Sequence, residues 1–304
     1  MLIACDSIRR ARPLLGTFVE IAAAGAAPDK MNRAVAAAFA AVATVHDLMS
    51  FHEAGSDVSR LNTQAWTTAV CVHPWTFQVL QMATDLHVRS AGVFDVAIAP
   101  VLQDMGLLPR PSRGGLSASR NWATAQAIEL LPGYRIRFQR SGMRIDLGGI
   151  AKGFAVDCAV DALRAYGIAA GTVNAGGDLA AFGPNAQIVA LRDPRNPRRS
   201  ICRVPVNNAA LASSGLLFDP VEAITAPYSA IINPITCQPV NAICGATVRA
   251  SCCWIADALT KVVMVAGTGS SEVLDFYGAS ALLVMANGEV LATPSWQDAC
   301  CIAT

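Results

Sequence analysis

Charge is scarce in this chain of 304 residues. Asp, Glu, Lys and Arg make up 15% of it, and the formal net charge is +1. Gripping a nucleic-acid backbone takes a basic surplus, so nucleic acid is excluded as the main partner. Long apolar runs are missing as well. None reaches the roughly 18 residues expected of a membrane span, so a bilayer-embedded chain is not expected, although 53% of the residues are hydrophobic. That apolar content is therefore material for a large core. The four histidines, His46, His52, His73 and His87, show no HxxxH or HExxH spacing, which disfavours a histidine-rich metal site. GxSxG is absent, and with it an α/β-hydrolase elbow. GxGxxG and the Walker loop are absent too. Ten cysteines occur without a CxxC pair. They read as thiols of a reducing compartment rather than a disulfide framework. The start, "MLIACDSIRRARP", is too short for a secretory signal, so the chain as given reads as cytoplasmic. "LIAC" does look like the end of a lipoprotein signal. With a start further upstream, Cys5 would be a lipid anchor and the chain periplasmic.

What is present alternates between strand and helix signals. "GTFVEIAAAG" (16–25) reads as a strand. The alanine-rich "DKMNRAVAAAFAAVATVHDLMS" (29–50) reads as a helix with Asp29 as its cap. A second helix fits 73–92. The Pro, Gly and Ser punctuation of "GLLPRPSRGGLSASR" (106–120) marks a surface loop. "YRIRFQRSGMRIDL" (134–147) reads as a hairpin turning at Ser141-Gly142. Helices follow at 152–167 and 253–267, with "GTVNAGGDLAAFG" (171–183) as strand and glycine turn between them. Several short β segments run to about residue 249. "ASALLVMANGEVLAT" (279–293) is a hairpin with Asn287-Gly288 at its turn. Irregular alternation predicts an α+β fold, a mixed and largely antiparallel sheet covered by helices. The opening and closing strands are expected to pair, making 1–304 a single unit.

Chemistry concentrates in "IDLGGIAKGFAVD" (145–157). Gly148-Gly149 let a ligand approach the backbone. The first turn of the following helix offers N–H groups and a positive dipole end, and Lys152 adds a full charge. Together they suit a diphosphate; the plain alternative is a tight turn with a solvated lysine. Gly176-Gly177 followed by Asp178, Phe94-Asp95, and the hydroxyls of "LASSG" (211–215) are each weak signals alone. Asp257 and Lys261 are four apart on one helix face. Their neighbours are apolar almost all round, so the pair is buried and must be satisfied by each other or by a ligand.

In order along the chain, "RPLLGTFVEI" (12–21), "MSFHEAGSDVSRLN" (49–62), "GVFDVAIAPVL" (92–102), "IDLGGIAKGFAVD" (145–157), "VNAGGDLAAFG" (173–183), "LASSG" (211–215), "IINPITCQPV" (231–240) and "ATVRASCCWIADALTK" (246–261) resemble the ApbE family of FAD:protein FMN transferases. The resemblance implies an ApbE-like, T-fold-related catalytic unit. It implies FAD as substrate, Mg2+ as cofactor, and transfer of FMN to a Thr or Ser hydroxyl of a target protein with release of AMP. A membrane redox-complex subunit is one such target. It further implies that Leu15 lies against the flavin nucleotide, that His52 stacks on a ring, and that Val93, Phe94 and Asp95 contact FAD. Asp146 and Lys152 would hold the nucleotide, with Gly176, Gly177, Ser213 and Ile231 completing the contacts. The Ala151 carbonyl and the Asp257 carboxylate would ligate magnesium, an oxygen-only set that suits the ion.

Three departures from the family pattern stand out. "AIINPITC" carries Ala230 in place of a histidine and Asn233 in place of an aspartate. "ADALTK" carries Lys261 in place of a metal-holding threonine, and Thr260 comes one position early, about 100° round the helix. A protonated lysine cannot ligate a metal but can set a positive charge against a diphosphate. Lys261 is therefore expected to substitute in part for magnesium or to narrow its site. Asp257 would orient Lys261 or act as base on the acceptor, so both are candidate catalytic residues. The competing readings are an FAD-binding protein without transfer and a metal-dependent FAD diphosphatase.

Overall fold

The alternation hidden in the chain's apolar stretches sorts its residues onto two faces of one sheet. The computed structural model describes residues 7–110, 123–215 and 230–299. Cys5 and most of the expected 106–120 loop fall outside these residues. Eight strands form the main sheet: β1 (Ser7–Leu14), β2 (Thr17–Ala24), β6 (Ala170–Ala175), β7 (Asp178–Phe182), β10 (Ala209–Gly215), β13 (Ile243–Ala250), β14 (Ser280–Met285) and β15 (Val290–Ala292), in that spatial order. A three-stranded sheet orders β3 (Val70–Cys71), β5 (Arg135–Phe138) and β4 (Ile128–Leu131) as β3-β5-β4. Two ribbons complete the set, β8 (Gln187–Asp193) with β9 (Asn196–Val206) and β11 (Ile232–Asn233) with β12 (Gln238–Pro239). Every strand pairing among the described residues is antiparallel.

On β7, Ala180 and Phe182 join the larger core while Leu179 and Ala181 join a second one; Ala210 and Ala212 of β10 part from Ala209 and Leu211 in the same way. Both faces are covered, so these strands read as continuous apolar runs. Helices α1 (Pro28–Met49), α5 (Ala151–Ala165) and α6 (Cys253–Ala266) cover the first face. The β8–β9 ribbon, with Leu191, Val204 and Val206, and Trp296 of α8 (Pro294–Ala299) cover the second. The remaining α-helices are α2 (Asp57–Gln64), α3 (Pro74–Arg89), α4 (Ala99–Asp104) and α7 (Ser271–Phe276). On α1 the buried residues Met31, Ala34, Val35, Ala38, Phe39, Val42, Val45 and Met49 keep the three-and-four spacing of one helix face.

Three expectations fail. Asp29 does not cap α1: the cap position is Ala27, and Asp29 lies within the first turn. The first and last strands do not pair: β1 and β15 are the opposite edges of the sheet. The hairpin expected over 134–147 is shifted. Its strands are β4 and β5, and the chain turns at Gly133 and Tyr134, both left-handed with φ of 76° and 55°. Met143, Ile145 and Leu147 are buried alternately, as in a strand. Their partner is a side chain instead: Asn62 accepts from the Ile145 N–H at 2.7 Å and donates to the Ile145 carbonyl at 2.9 Å. The period was real, but the hydrogen-bonding edge beside it was not a strand.

Candidate active site

Helices α5 and α6 approach closely because Gly153 has no side chain. A methyl there would lie 2.5 Å from the Cys253 carbonyl oxygen and 2.7 Å from Asp257 Cβ. Each helix then completes the other's first turn. Asp257 Oδ2 accepts from the Gly153 N–H at 2.9 Å. Asp157 accepts from the Cys253 and Trp254 N–H groups, both at 2.9 Å. Carboxylates placed at helix N-termini satisfy donors that have no intrahelical partner.

Around this joint sit two ion pairs. Asp257 is fully buried. Its Oδ1 takes the Lys261 ammonium, which also donates to the Asp257 carbonyl at 3.1 Å. The Thr260 hydroxyl donates to that same carbonyl at 2.7 Å and meets Ser214 Oγ at 2.7 Å. The second pair joins Lys152 to Asp178, whose other oxygen accepts from the Ser213 N–H at 3.2 Å. Burial works against the Lys152 charge, but the Asp257 and Asp178 carboxylates outweigh it and its pKa rises above the usual lysine value. Asp178 is pushed up by burial and by the Asp257 charge, against the pull of Lys152 and Lys261. The four groups form one electrostatic unit.

Both lysines open onto a cleft of about 390 Å³. One wall is Val93, Phe94 and Asp95; another is Asp146 with Gly148 and Gly149; Ser214, Gly215, Ala230 and Ile231 complete it. Asp95 is locked into its wall: Oδ1 accepts from Ala97 and Ala125 N–H at 2.7 and 3.0 Å, and Oδ2 lies 3.4 Å from His87 Nδ1. Burial raises its pKa. Asp146 accepts from the Gly148 N–H at 3.1 Å; burial raises its pKa, while that N–H and the charges of His52 and Lys261 pull it down.

Of the residues singled out in the sequence, Val93, Phe94, Asp95, Asp146, Lys152, Ile231 and Lys261 line this cleft. Ser213 adjoins it through Asp178. Gly176 and Gly177 form the β6–β7 turn, and Leu15 and Gly16 the β1–β2 turn, all at positive φ. The two turns abut, since a methyl on Gly176 would lie 2.7 Å from Thr17 Oγ1. His52 is exposed and does not line the cleft. Asp257 lies beneath the lysine rather than on the cleft wall, and Ala151 opens α5 without lining the cleft. The expected phosphate nest is partly spent: Gly148, Ala151 and Gly153 N–H groups bond to Asp146 Oδ2, the Leu147 carbonyl and Asp257 Oδ2. Two of these bonds are local to the turn, and only the Gly153 bond comes from the packing of α5 on α6. Asp178, Ser214 and Thr260 were missed as site residues. Asp178 and Ser214 stood inside quoted glycine motifs, where they look like ordinary turn residues.

The donor set does not fit a magnesium ion. Both Asp257 carboxylate oxygens and its carbonyl already accept hydrogen bonds, and the cation they hold is an ammonium. No group of three or more His, Cys, Asp or Glu gathers among the described residues. Magnesium prefers about six oxygens in a regular octahedron.

The sequence profile of the ApbE family matches residues 15–283. The FAD:protein FMN transferase of Vibrio cholerae is 29% identical over 235 residues, covering 73% of this chain and 70% of that one. The FAD:protein FMN transferase of Treponema pallidum is 25% identical over 318 aligned positions, covering 95% and 87%. Among solved structures, the ApbE protein of Thermotoga maritima superposes with a TM-score of 0.83 at 25% identity over 97% of this chain and 99% of that one. The apo flavinyl transferase ApbE of Pseudomonas stutzeri gives 0.84 at 21% identity over the full length of both.

Proposed function

Because the chain belongs to the ApbE family, we propose that it transfers FMN from FAD to a Thr or Ser hydroxyl of a partner protein and releases AMP. The hydroxyl oxygen bonds to the FMN-side phosphorus. The bond from that phosphorus to the bridging oxygen breaks, AMP leaves with the electron pair, and the hydroxyl proton is lost to solvent or a base. Such a reaction asks the protein mainly for positioning and for positive charge against the phosphates. One observation carries the reading: the ammonium groups of Lys152 and Lys261 face a single cleft beside the Gly148-Gly149 turn, each anchored by a buried carboxylate.

Lys152 has three N–H donors, of which Asp178 takes one. The others serve phosphate oxygens. The glycine turn admits those oxygens close to the backbone. Phe94 offers an apolar surface to a ring. Asp257, buried with both oxygens occupied, positions Lys261 rather than taking the acceptor's proton. The acceptor is a protein; a subunit of a membrane redox complex belongs to the candidate class. No helix among the described residues is long and apolar enough to cross a membrane.

The test incubates the protein with FAD and Thr-bearing acceptor proteins, and follows AMP by chromatography and the acceptor by mass spectrometry. An FMN adduct with matching AMP is expected. AMP with free FMN and no adduct would make the protein a diphosphatase, and intact FAD throughout would reject the reading.

A further inference from the structure

We infer that Lys261 occupies the position of a divalent cation in this chain, so that the cleft carries its own fixed positive charge and works without bound metal. The inference rests on the transfer reading above for its chemistry, but its geometry stands apart. A hard cation at the base of the cleft would need Asp257 Oδ1 and the Asp257 carbonyl, the two oxygens that Lys261 Nζ bridges. Asp257 Oδ2 faces away, to the Gly153 N–H. The Thr260 hydroxyl, the next oxygen along the helix, is turned to the same carbonyl and to Ser214. The three Asp257 oxygens each already accept a hydrogen bond, and the Thr260 hydroxyl spends its own hydrogen on one of them. An incoming dication would have to expel an ammonium from a carboxylate that is fully buried, and the two cations would then repel each other across the cleft.

Lys261 is also well placed for the ligand. Its Cε lies 3.7 Å from where a methyl on Gly149 would be, in contact with the turn that admits phosphate. The i,i+4 spacing holds it there from the same helix as its carboxylate, so little side-chain freedom remains to be lost on binding. The cost is reach: an ammonium is one charge where a metal would be two.

Manganese provides a probe that is independent of catalysis. Titrated alone into the protein and followed by electron paramagnetic resonance, Mn2+ is expected to keep its free aqueous signal. Lys261→Thr, which vacates the two oxygens, is expected to bind it. Transfer from FAD by the parent protein is expected to survive EDTA unchanged. The Lys261→Thr variant in EDTA should lose on the order of 100-fold, the usual cost of removing one charge-stabilising donor, and recover with Mg2+. Tight Mn2+ binding by the parent, loss of its transfer in EDTA, or no gain of Mn2+ binding in a folded Lys261→Thr variant would each overturn the inference. The parent measurements need no variant to fold. Absence of transfer under every condition would reject the proposed function, while the manganese result would still decide the cation question.

Discussion

Asp257 and Asp157 tie the same two helices together in opposite directions, one turn apart, yet they are built differently. Asp257 reaches from α6 to the first turn of α5, is fully buried, and holds the Lys261 ammonium with its second oxygen. Asp157 reaches from α5 to the first turn of α6 and has two backbone N–H groups but no ion pair. It faces a different hollow of about 560 Å³, among Trp75, Phe154, Trp254 and Cys252. Burial pushes the Asp157 carboxyl up to about 6, with the neighbouring Asp161 adding to the rise and the two N–H groups pulling against it. Two backbone dipoles thus leave a buried carboxylate strained where a whole counter-charge is lacking. The carboxylate on the side of the two-lysine cleft is supplied with that counter-charge, and the one on the side of the second hollow is only clamped.

The sharpest way to break this contrast is Asp257→Ala. It strands the buried Gly153 N–H and leaves the Lys261 ammonium, which opens onto the cleft, without its carboxylate. Removing one partner of a buried pair costs roughly 3–5 kcal/mol, trimmed here because Lys261 keeps 20% of its side chain exposed. Urea unfolding is expected to show a loss of about 3 kcal/mol, together with loss of FAD retention on a desalting column. A variant that melts with the parent would show that the pair contributes nothing to the fold.

Second in size is Gly153→Ala. With the methyl 2.5 Å from the Cys253 carbonyl oxygen, the helices must part, and overpacking of this kind costs about 1–3 kcal/mol. Because Asp257 bonds the Gly153 N–H, separation also shifts Lys261. FAD affinity is therefore expected to fall more than it would for an equally destabilising change elsewhere in the core, such as Val42→Ala on α1. Equal affinities in the two variants would uncouple the joint from the cleft.

Much of this was legible in the sequence, and the failures have a common cause. Helices α1, α5 and α6 and the Asn287-Gly288 hairpin follow from period and turn chemistry, which act within a few residues. The 134–147 stretch misled because burial alternates there while its backbone partner, Asn62, lies 83 residues away. Edge strand β1, "SIRRARPL", went unread because almost all of its side chains are exposed and no apolar period marks it. In the site, Lys261 and Asp257 share a helix, so spacing alone pairs them. Lys152 and Asp178 are 26 residues apart, and Asp157 caps a helix 96 residues on, so only the fold brings those together. At the glycine turn before α5, the Gly148 and Ala151 amides have local partners and the Gly153 amide has one on α6, and that last partner lies 104 residues away, beyond the reach of spacing.

The smallest effect sharpens the contrast from the other end. At Asp157 the folded-state pKa of about 6 stands above the ordinary value for an unfolded chain, about 3.9. Between those values the folded protein binds more protons than the unfolded one, so this group's contribution to stability falls as pH rises through the window and is flat above it. Asp157→Asn keeps an oxygen for one N–H and cannot ionise. It is expected to be less stable than the parent near pH 4, where the parent's carboxyl is protonated in the folded state and bears no charge penalty. The gap should narrow by about 1 kcal/mol toward pH 7, a discounted figure because the site is only partly buried. Thermal melts of both proteins across that range measure the difference directly, and other titrating carboxyls cancel in it. A gap that stays constant, or widens as pH rises, would show that ionising Asp157 costs the fold nothing and remove the distinction between the two carboxylates.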